Sequence, residues 1–300
     1  MRIQLLFMYL IILTSCTRSG NPETQNLNEY KKEINNWHNS RIEALLSETG
    51  WVNLAGLFWL KEGVNSFGTR PENDLQFPEG SVEQASGYFI LANGRVTVKV
   101  RPEVNILINV AKATEGEVYS AENRNTIMSF GNYRWNVIQR EDKFGIRLRN
   151  LANPALKNFK GVERFEINPE YRIRATLQKS DTAKTIAITN VLGQTTQQKS
   201  PGTAIFEING KSFSLDLIDE GTGVDYFIVF SDLTNGRTTY ESGRFLYVAP
   251  PDSDGNMIID FNKSINPPCA FSPFATCPLP PPQNKLEVMI EAGEKIYHFN

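Results

Sequence analysis

Apolar and polar positions along the chain change their spacing twice. Between Asn28 and Glu48, Ile34, Trp37, Ile42, Leu45 and Leu46 recur at intervals of three and four, with Lys31, Lys32, Glu33, Asn39 and Glu43 filling the other positions. This is the period of an amphipathic helix, and Gly50 suits the residue just past its end. His38 falls off the apolar stripe and is expected on the solvated face. From Trp51 the apolar runs become short and are separated by turn residues. Tyr88–Leu91 and Val96–Val100 flank Asn93-Gly94, and Asn-Gly between alternating apolar positions is the strongest short hairpin signal. The segments 104–110, 126–130, 133–139 and 144–149 continue in the same style, the last with clean alternation. No second helix is expected.

The alternation pauses over 151–162, where Asn153-Pro154 and Lys160-Gly161 mark a boundary. Further strands are expected at 171–178, 185–189, 204–208, 213–218 and 226–231, with Asn-Gly turns at 209–210 and 235–236. The fold class that follows is mostly β. An N-terminal amphipathic helix precedes two packed antiparallel sub-domains, each a sandwich or barrel of short strands, and an ordered proline-rich loop lies near the C-terminus. Residues 28–160 form the helix and first sub-domain, and 161–300 the second.

The first residues follow another logic. Arg2 and the uncharged apolar run 5–13 describe a signal segment too short to span a bilayer. It ends in Leu13-Thr14-Ser15-Cys16, the pattern of a lipoprotein cleavage site. Residues 1–15 are read as a signal peptide, Cys16 as the lipidated N-terminus and 16–27 as a polar tether. The expected location is the cell envelope, with the folded part held at a membrane by its lipid. The absence of an aspartate after the cysteine favours the periplasmic side of an outer membrane.

Composition narrows the remaining classes. With 40% apolar and 21% charged residues and a net charge of −2, the chain is globular and nearly neutral. It lacks the basic excess of a nucleic-acid binder, so no nucleic-acid partner is expected. His38 and His298 are far apart and form no metal-ligand spacing, so no metal site is assigned. With Cys16 lipidated, Cys269 and Cys277 remain. They are either a disulfide of an oxidising compartment, two buried thiols or, less in keeping with their spacing, a metal or redox pair.

The loop carrying those cysteines, residues 258–297, combines prolines that exclude helix and central strand with Phe261, Phe271, Phe274 and Leu286, too apolar for a solvated linker. An ordered loop on a rigid scaffold is where functional groups tend to sit. Its polar residues and those just upstream form the candidate site. Arg237, Tyr240, Arg244, Asn262, Asn266 and Asn284 are expected to hold a ligand, and Asp260, Glu291 and Glu294 are candidate carboxylates for acid–base work. Such carboxylates also suit a divalent cation, and no other cofactor is expected. The alternative is an Arg–Asp and Asn network that merely pins the loop.

Two stretches resemble a known family. GWVNLAGLFWLKEGVNSFG (50–68) is similar to the N-terminal signature of the bacterial and archaeal family called domain of unknown function 1684. TTYESGRF (238–245), DFN (260–262), NPPCAFSPFATCPLPPPQN (266–284) and AGEK (292–295) resemble its C-terminal signature. The resemblance implies no activity and no residue roles. A weaker echo, Phe67-Gly68 followed by Asn73-Asp74, is similar to a turn of forkhead-associated β-sandwiches. Their phosphate-binding Ser-Arg-x-His element has no counterpart after Ser81, so a related sandwich is expected and phosphopeptide binding is not. The functional expectation is a ligand-binding module for a small, saccharide-like molecule at the signature loop; the alternative is a carboxylate-based hydrolase using the same pocket.

Overall fold

The computed structural model describes residues 27–297, so the expected signal segment, Cys16 and His298 lie outside the described residues. The chain is mostly β, with a long helix opening the described residues, and among those residues no sheet closes into a barrel. The helix Leu27–Leu46 buries Tyr30, Ile34 and Leu45. His38 differs from expectation. It is half-buried, and burial first, then the nearby Arg164, pushes its pKa below the usual histidine value.

Two sheets come from the first half of the chain. In the six-stranded one, Lys143–Asn150 lies between Leu54–Trp59 and Tyr133–Arg140, and three short strands complete the other edge. The five-stranded sheet holds the Gly87–Ala92 and Arg95–Val100 hairpin. Asn93 and Gly94 both take positive φ in its turn, at 52° and 73°, as a type I′ turn requires. The Asn73-Asp74 turn is structural: Asn73 Nδ2 donates to the Arg70 and Gln84 carbonyls, and Asp74 accepts from Ser66. Phe67, Phe77, Phe89, Met128, Trp135 and Ile146 fill the space between the sheets, each such side chain contributing about 1.5–3 kcal/mol by burial.

The second half is built on a long hairpin, Arg172–Thr189 with Thr195–Ile208. Lys211–Asp216 flanks it on one side and Asn256–Asp260 on the other. A two-stranded sheet, Tyr226–Phe230 with Arg244–Val248, packs beside it. Between the halves, Pro154–Asn158 is a short helix absent from the sequence expectation. Asn153 caps it by accepting from the Ala155 N–H at 3.0 Å, and Pro154 occupies the first turn, the arrangement that Asn-Pro favours.

The proline-rich loop is pressed onto both halves. Leu286, Ile290 and Ala292 enter the second core. Cys277, Ala275 and Ile265 join a cluster that contains Leu54 from the first half and Ile186, Phe227 and Phe245 from the second. Phe271 packs with Leu45 and Val52 beneath the N-terminal helix. Cys269 and Cys277 form a disulfide with a sequence separation of 8, and closing so short a loop is worth about 2.5 kcal/mol in the chain-entropy account.

Candidate functional site

Most of the polar residues expected to bind a ligand are used to hold the loop. Arg244 is fully buried; its Nη2 reaches the Asp232 carboxylate and the Ile290 carbonyl, and its Nη1 the Ala292 carbonyl. Asn284 accepts from the Asp216 N–H and donates to the carbonyls of Asp216 and Val229, at 2.7, 3.0 and 3.0 Å. Asp260 accepts the Tyr30 hydroxyl at 2.9 Å on both oxygens, and Asn262 donates to Tyr30 and to the Asn168 carbonyl. Glu294 is 1% exposed, pairs with Arg41 Nε at 3.3 Å and accepts the Asn266 N–H at 2.6 Å. Burial holds its carboxyl above the usual range, with Arg41 opposing. Glu291 and Arg237 are exposed, and Tyr240 is half-buried in the cluster under the helix. The nine residues therefore divide among separate networks rather than meeting in one pocket. Arg244, Asn262 and Asn284, expected as ligand contacts, have their side chains bonded to the loop and its neighbours in the structure. The carboxylates Asp260, Glu291 and Glu294, with separate partners and unequal exposure, do not form a paired acid–base set. Among the described residues, no three His, Cys, Asp or Glu side chains are grouped to hold a metal ion.

One of the nine, Asn266, lines a cavity that sequence reasoning did not anticipate. Around Arg140 and Arg147 the outer face of the six-stranded sheet is covered by the second half of the chain and the loop. Alternation along Lys143–Asn150 turns Phe144, Ile146 and Leu148 into the first core and leaves Arg147 and Arg149 on the outer face. The pairing register places Asn136 across from Arg147 and Arg134 across from Arg149. Arg140 follows at the strand end, where its Nε donates to the Thr276 hydroxyl at 3.1 Å. Arg41 arrives from the helix, with its Nη2 on the Asn266 carbonyl at 3.1 Å.

Arg41, Arg140 and Arg147 share a cavity of about 290 Å³ whose other walls include Trp51, Tyr247, Asn266 and the Thr276–Pro278 stretch of the loop. Arg41 has Glu294 as its counter-charge. Among the described residues Arg147 has none in contact: it is 7% exposed, and its Nε and Nη2 are buried without a hydrogen-bond partner. Its guanidinium sits over the Trp51 ring at 5.1 Å. Burial, then the like charges of Arg140 and Arg149, depress its pKa to about 9. At neutral pH it still carries its proton, so a buried cation faces the cavity with like-charged neighbours. Glu220 also lines the cavity, and together with burial it helps push the Tyr247 phenol up to about 12. The arrangement is suited to receiving an anion: guanidinium donors match carboxylate and phosphoryl oxygens bidentately. The available sequence signal was the pair YRWNVIQR (133–140) and KFGIRLRN (143–150), two adjacent strands with four arginines and no acidic residue.

The chain was compared with known proteins. A family model described as protein of unknown function (DUF1684) matches residues 157–295, which leaves the expected N-terminal signature at 50–68 outside the match. No curated protein matches the chain. Among solved structures, an uncharacterized protein from Haloarcula marismortui, determined by solution NMR, is 31% identical over 48% of this chain and 80% of its own, with a TM-score of 0.40. A forkhead-associated domain studied for phosphothreonine-dependent interactions is 13% identical over 31% of this chain and 92% of its own, with a TM-score of 0.22. The FhaA forkhead-associated domain, complexed with the intracellular domain of Rv3910, is 14% identical over 31% and 97%, with a TM-score of 0.23. The 31% identity over most of the archaeal relative and the family-model match agree with the residues that carried the resemblance: the chain belongs to the family of proteins of unknown function DUF1684.

Proposed function

We propose that the protein is a lipid-anchored ligand-binding module of the bacterial cell envelope that holds a small anionic molecule in the arginine-lined cavity. The observation that carries the binding part is Arg147, a cation 7% exposed with two nitrogens lacking partners. An uncompensated buried charge costs several kcal/mol, and a fold that retains one at the wall of a cavity is prepared for a counter-charge. The anchoring part rests on Cys16 at the end of its short apolar segment. The Cys269–Cys277 disulfide is in keeping with an oxidising compartment, since such bridges persist outside the cytosol. No helix among the described residues is long and apolar enough to cross a membrane, as a lipid-held module does not require one.

Isothermal titration of the full chain in non-ionic detergent against phosphate, sulfate and citrate tests the binding part. At least one of these anions is expected to bind, more weakly as salt is raised; no heat with any of them would refute the reading. Metabolic labelling with an alkynyl fatty acid tests the anchor. Label on the wild-type chain that disappears in Cys16→Ser is expected, and an unlabelled wild-type chain would remove the lipid from the proposal.

A further inference from the structure

The cavity continues past Arg140. A second one of about 390 Å³ shares Arg140, Glu220, Phe227, Thr276 and Pro278 with the first. Its other walls include five amide or hydroxyl side chains, Gln139, Asn190, Gln194, Thr196 and Gln198, together with the carboxylate Glu141. These sit at the end of the arginine strand and around the turn of the long hairpin. Carboxamides present donors and acceptors side by side, the complement of vicinal hydroxyl groups.

Two further atoms are unpartnered and buried along the combined cleft. Asn266, fully buried, has its Oδ1 acceptor without a donor, and Gln194 has its Nε2 donor without an acceptor. A buried polar atom left unpaired is costly, and a ligand bearing hydroxyls satisfies both kinds. Phe227 spans the two cavities with its ring stacked on Tyr247, centroids 5.0 Å apart. That gives an apolar face between polar walls, as small-molecule sites commonly have.

Building on the anion-binding reading, we propose that the ligand is a phosphorylated sugar. Its phosphoryl group lies between Arg147 and Arg140. Its ring runs past Phe227, and its hydroxyls meet Asn266, Gln194 and Gln198. Phosphoryl is assigned to the arginine end because two guanidinium groups, in a cavity that Glu220 also lines, match a dianion better than a single carboxylate. The amide end supplies what a bare phosphate would leave unused.

Titration of the full chain in detergent with propyl phosphate, glucose 6-phosphate, glucuronate and glucose tests this. Glucose 6-phosphate is expected to bind at least about tenfold more tightly than propyl phosphate, because a site built for hydroxyls discriminates against ligands that lack them. Gln194→Met and Gln198→Leu should shrink that ratio towards one while leaving propyl phosphate affinity unchanged. Equal binding of the two phosphates by the wild type would overturn the sugar assignment and leave the anion site standing. Glucuronate binding more tightly than glucose 6-phosphate would overturn the phosphoryl assignment. Glucose binding as well as its phosphate, or phosphate binding that survives Arg147→Met, would overturn the anion reading and the proposal with it.

Discussion

Arg244→Met is expected to destabilise the folded chain by about 3–5 kcal/mol, the range seen when one member of a buried ion pair is removed. The substitution keeps an unbranched side chain of similar length, so the loss comes from Asp232, not from a hole. Both members of the pair have side chains with no exposure. Asp232 would keep its bonds from the Thr234 hydroxyl and the Ile290 N–H, at 2.6 and 3.2 Å, but lose the buried guanidinium of Arg244. The carbonyls of Ile290 and Ala292 would lose their donor together. Those carbonyls belong to the segment that drops Ile290 and Ala292 into the second core, so the loop should loosen where it enters. Urea unfolding followed by tryptophan fluorescence gives the magnitude, and limited proteolysis at Lys285 gives the place. A loss under 1 kcal/mol with no new cleavage would show that the loop is held by its apolar contacts alone. Since whole domains are stable by only about 5–15 kcal/mol, the expected loss is a large share of the total.

What the sequence disclosed and what it hid divide along the range of the interactions. The helix and the hairpins at Asn93-Gly94 and Asn209-Gly210 were legible because their signals are local: a 3.6-residue period and turn residues that accept positive φ. The long strand Arg172–Thr189 was read as two pieces, because Lys179, Ser180, Asp181 and Thr182 interrupt the apolar pattern. Its continuity comes from pairing with Thr195–Ile208 across a register shift between Lys179 and Lys184, and a single segment does not display its partner. The loop was recognisable as ordered, since its prolines and aromatics say so without reference to anything else. The partners of its polar residues were not recognisable. Asn284 answers to Asp216 and Val229, and Asp260 to Tyr30, 230 positions away. The alternative reading, in which such groups pin the loop, describes these residues. Arg147 was hidden for a different reason. Alternation correctly separates its face from that of Ile146 and Leu148, but an arginine on the outer face of a strand normally looks at water. Only the second layer laid over part of the sheet turns Arg140 and Arg147 into the wall of a cavity.

Arg147→Met should therefore make the empty protein more stable while abolishing its response to anions. Two opposing effects set the sign. The substitution gives up the cation–π contact with Trp51 at 5.1 Å, worth about 2 kcal/mol or more for a desolvated cation. It also removes a buried, unpaired cation whose desolvation costs several kcal/mol, along with its repulsion from Arg140 and Arg149. Methionine fills most of the vacated volume and adapts to irregular spaces, so no large cavity offsets the gain. A net stabilisation of about 1–3 kcal/mol follows, of the kind obtained when a functional group strained for binding is replaced by an apolar one. The linkage has a definite sign as well. A base whose folded pKa lies below its unfolded value binds fewer protons when folded, so its cost fades as pH rises above about 9. The stability advantage of Arg147→Met should accordingly be full at pH 7 and shrink between pH 9 and the ordinary arginine range. Arg147→Lys keeps the charge but loses the planar fork; it should show no such stabilisation and weakened anion binding. Denaturant curves for the three proteins at two pH values, with and without phosphate, decide the matter. If Arg147→Met is less stable than the wild type by 1 kcal/mol or more without ligand, Arg147 supports the fold, and the cavity loses its claim to be a binding site.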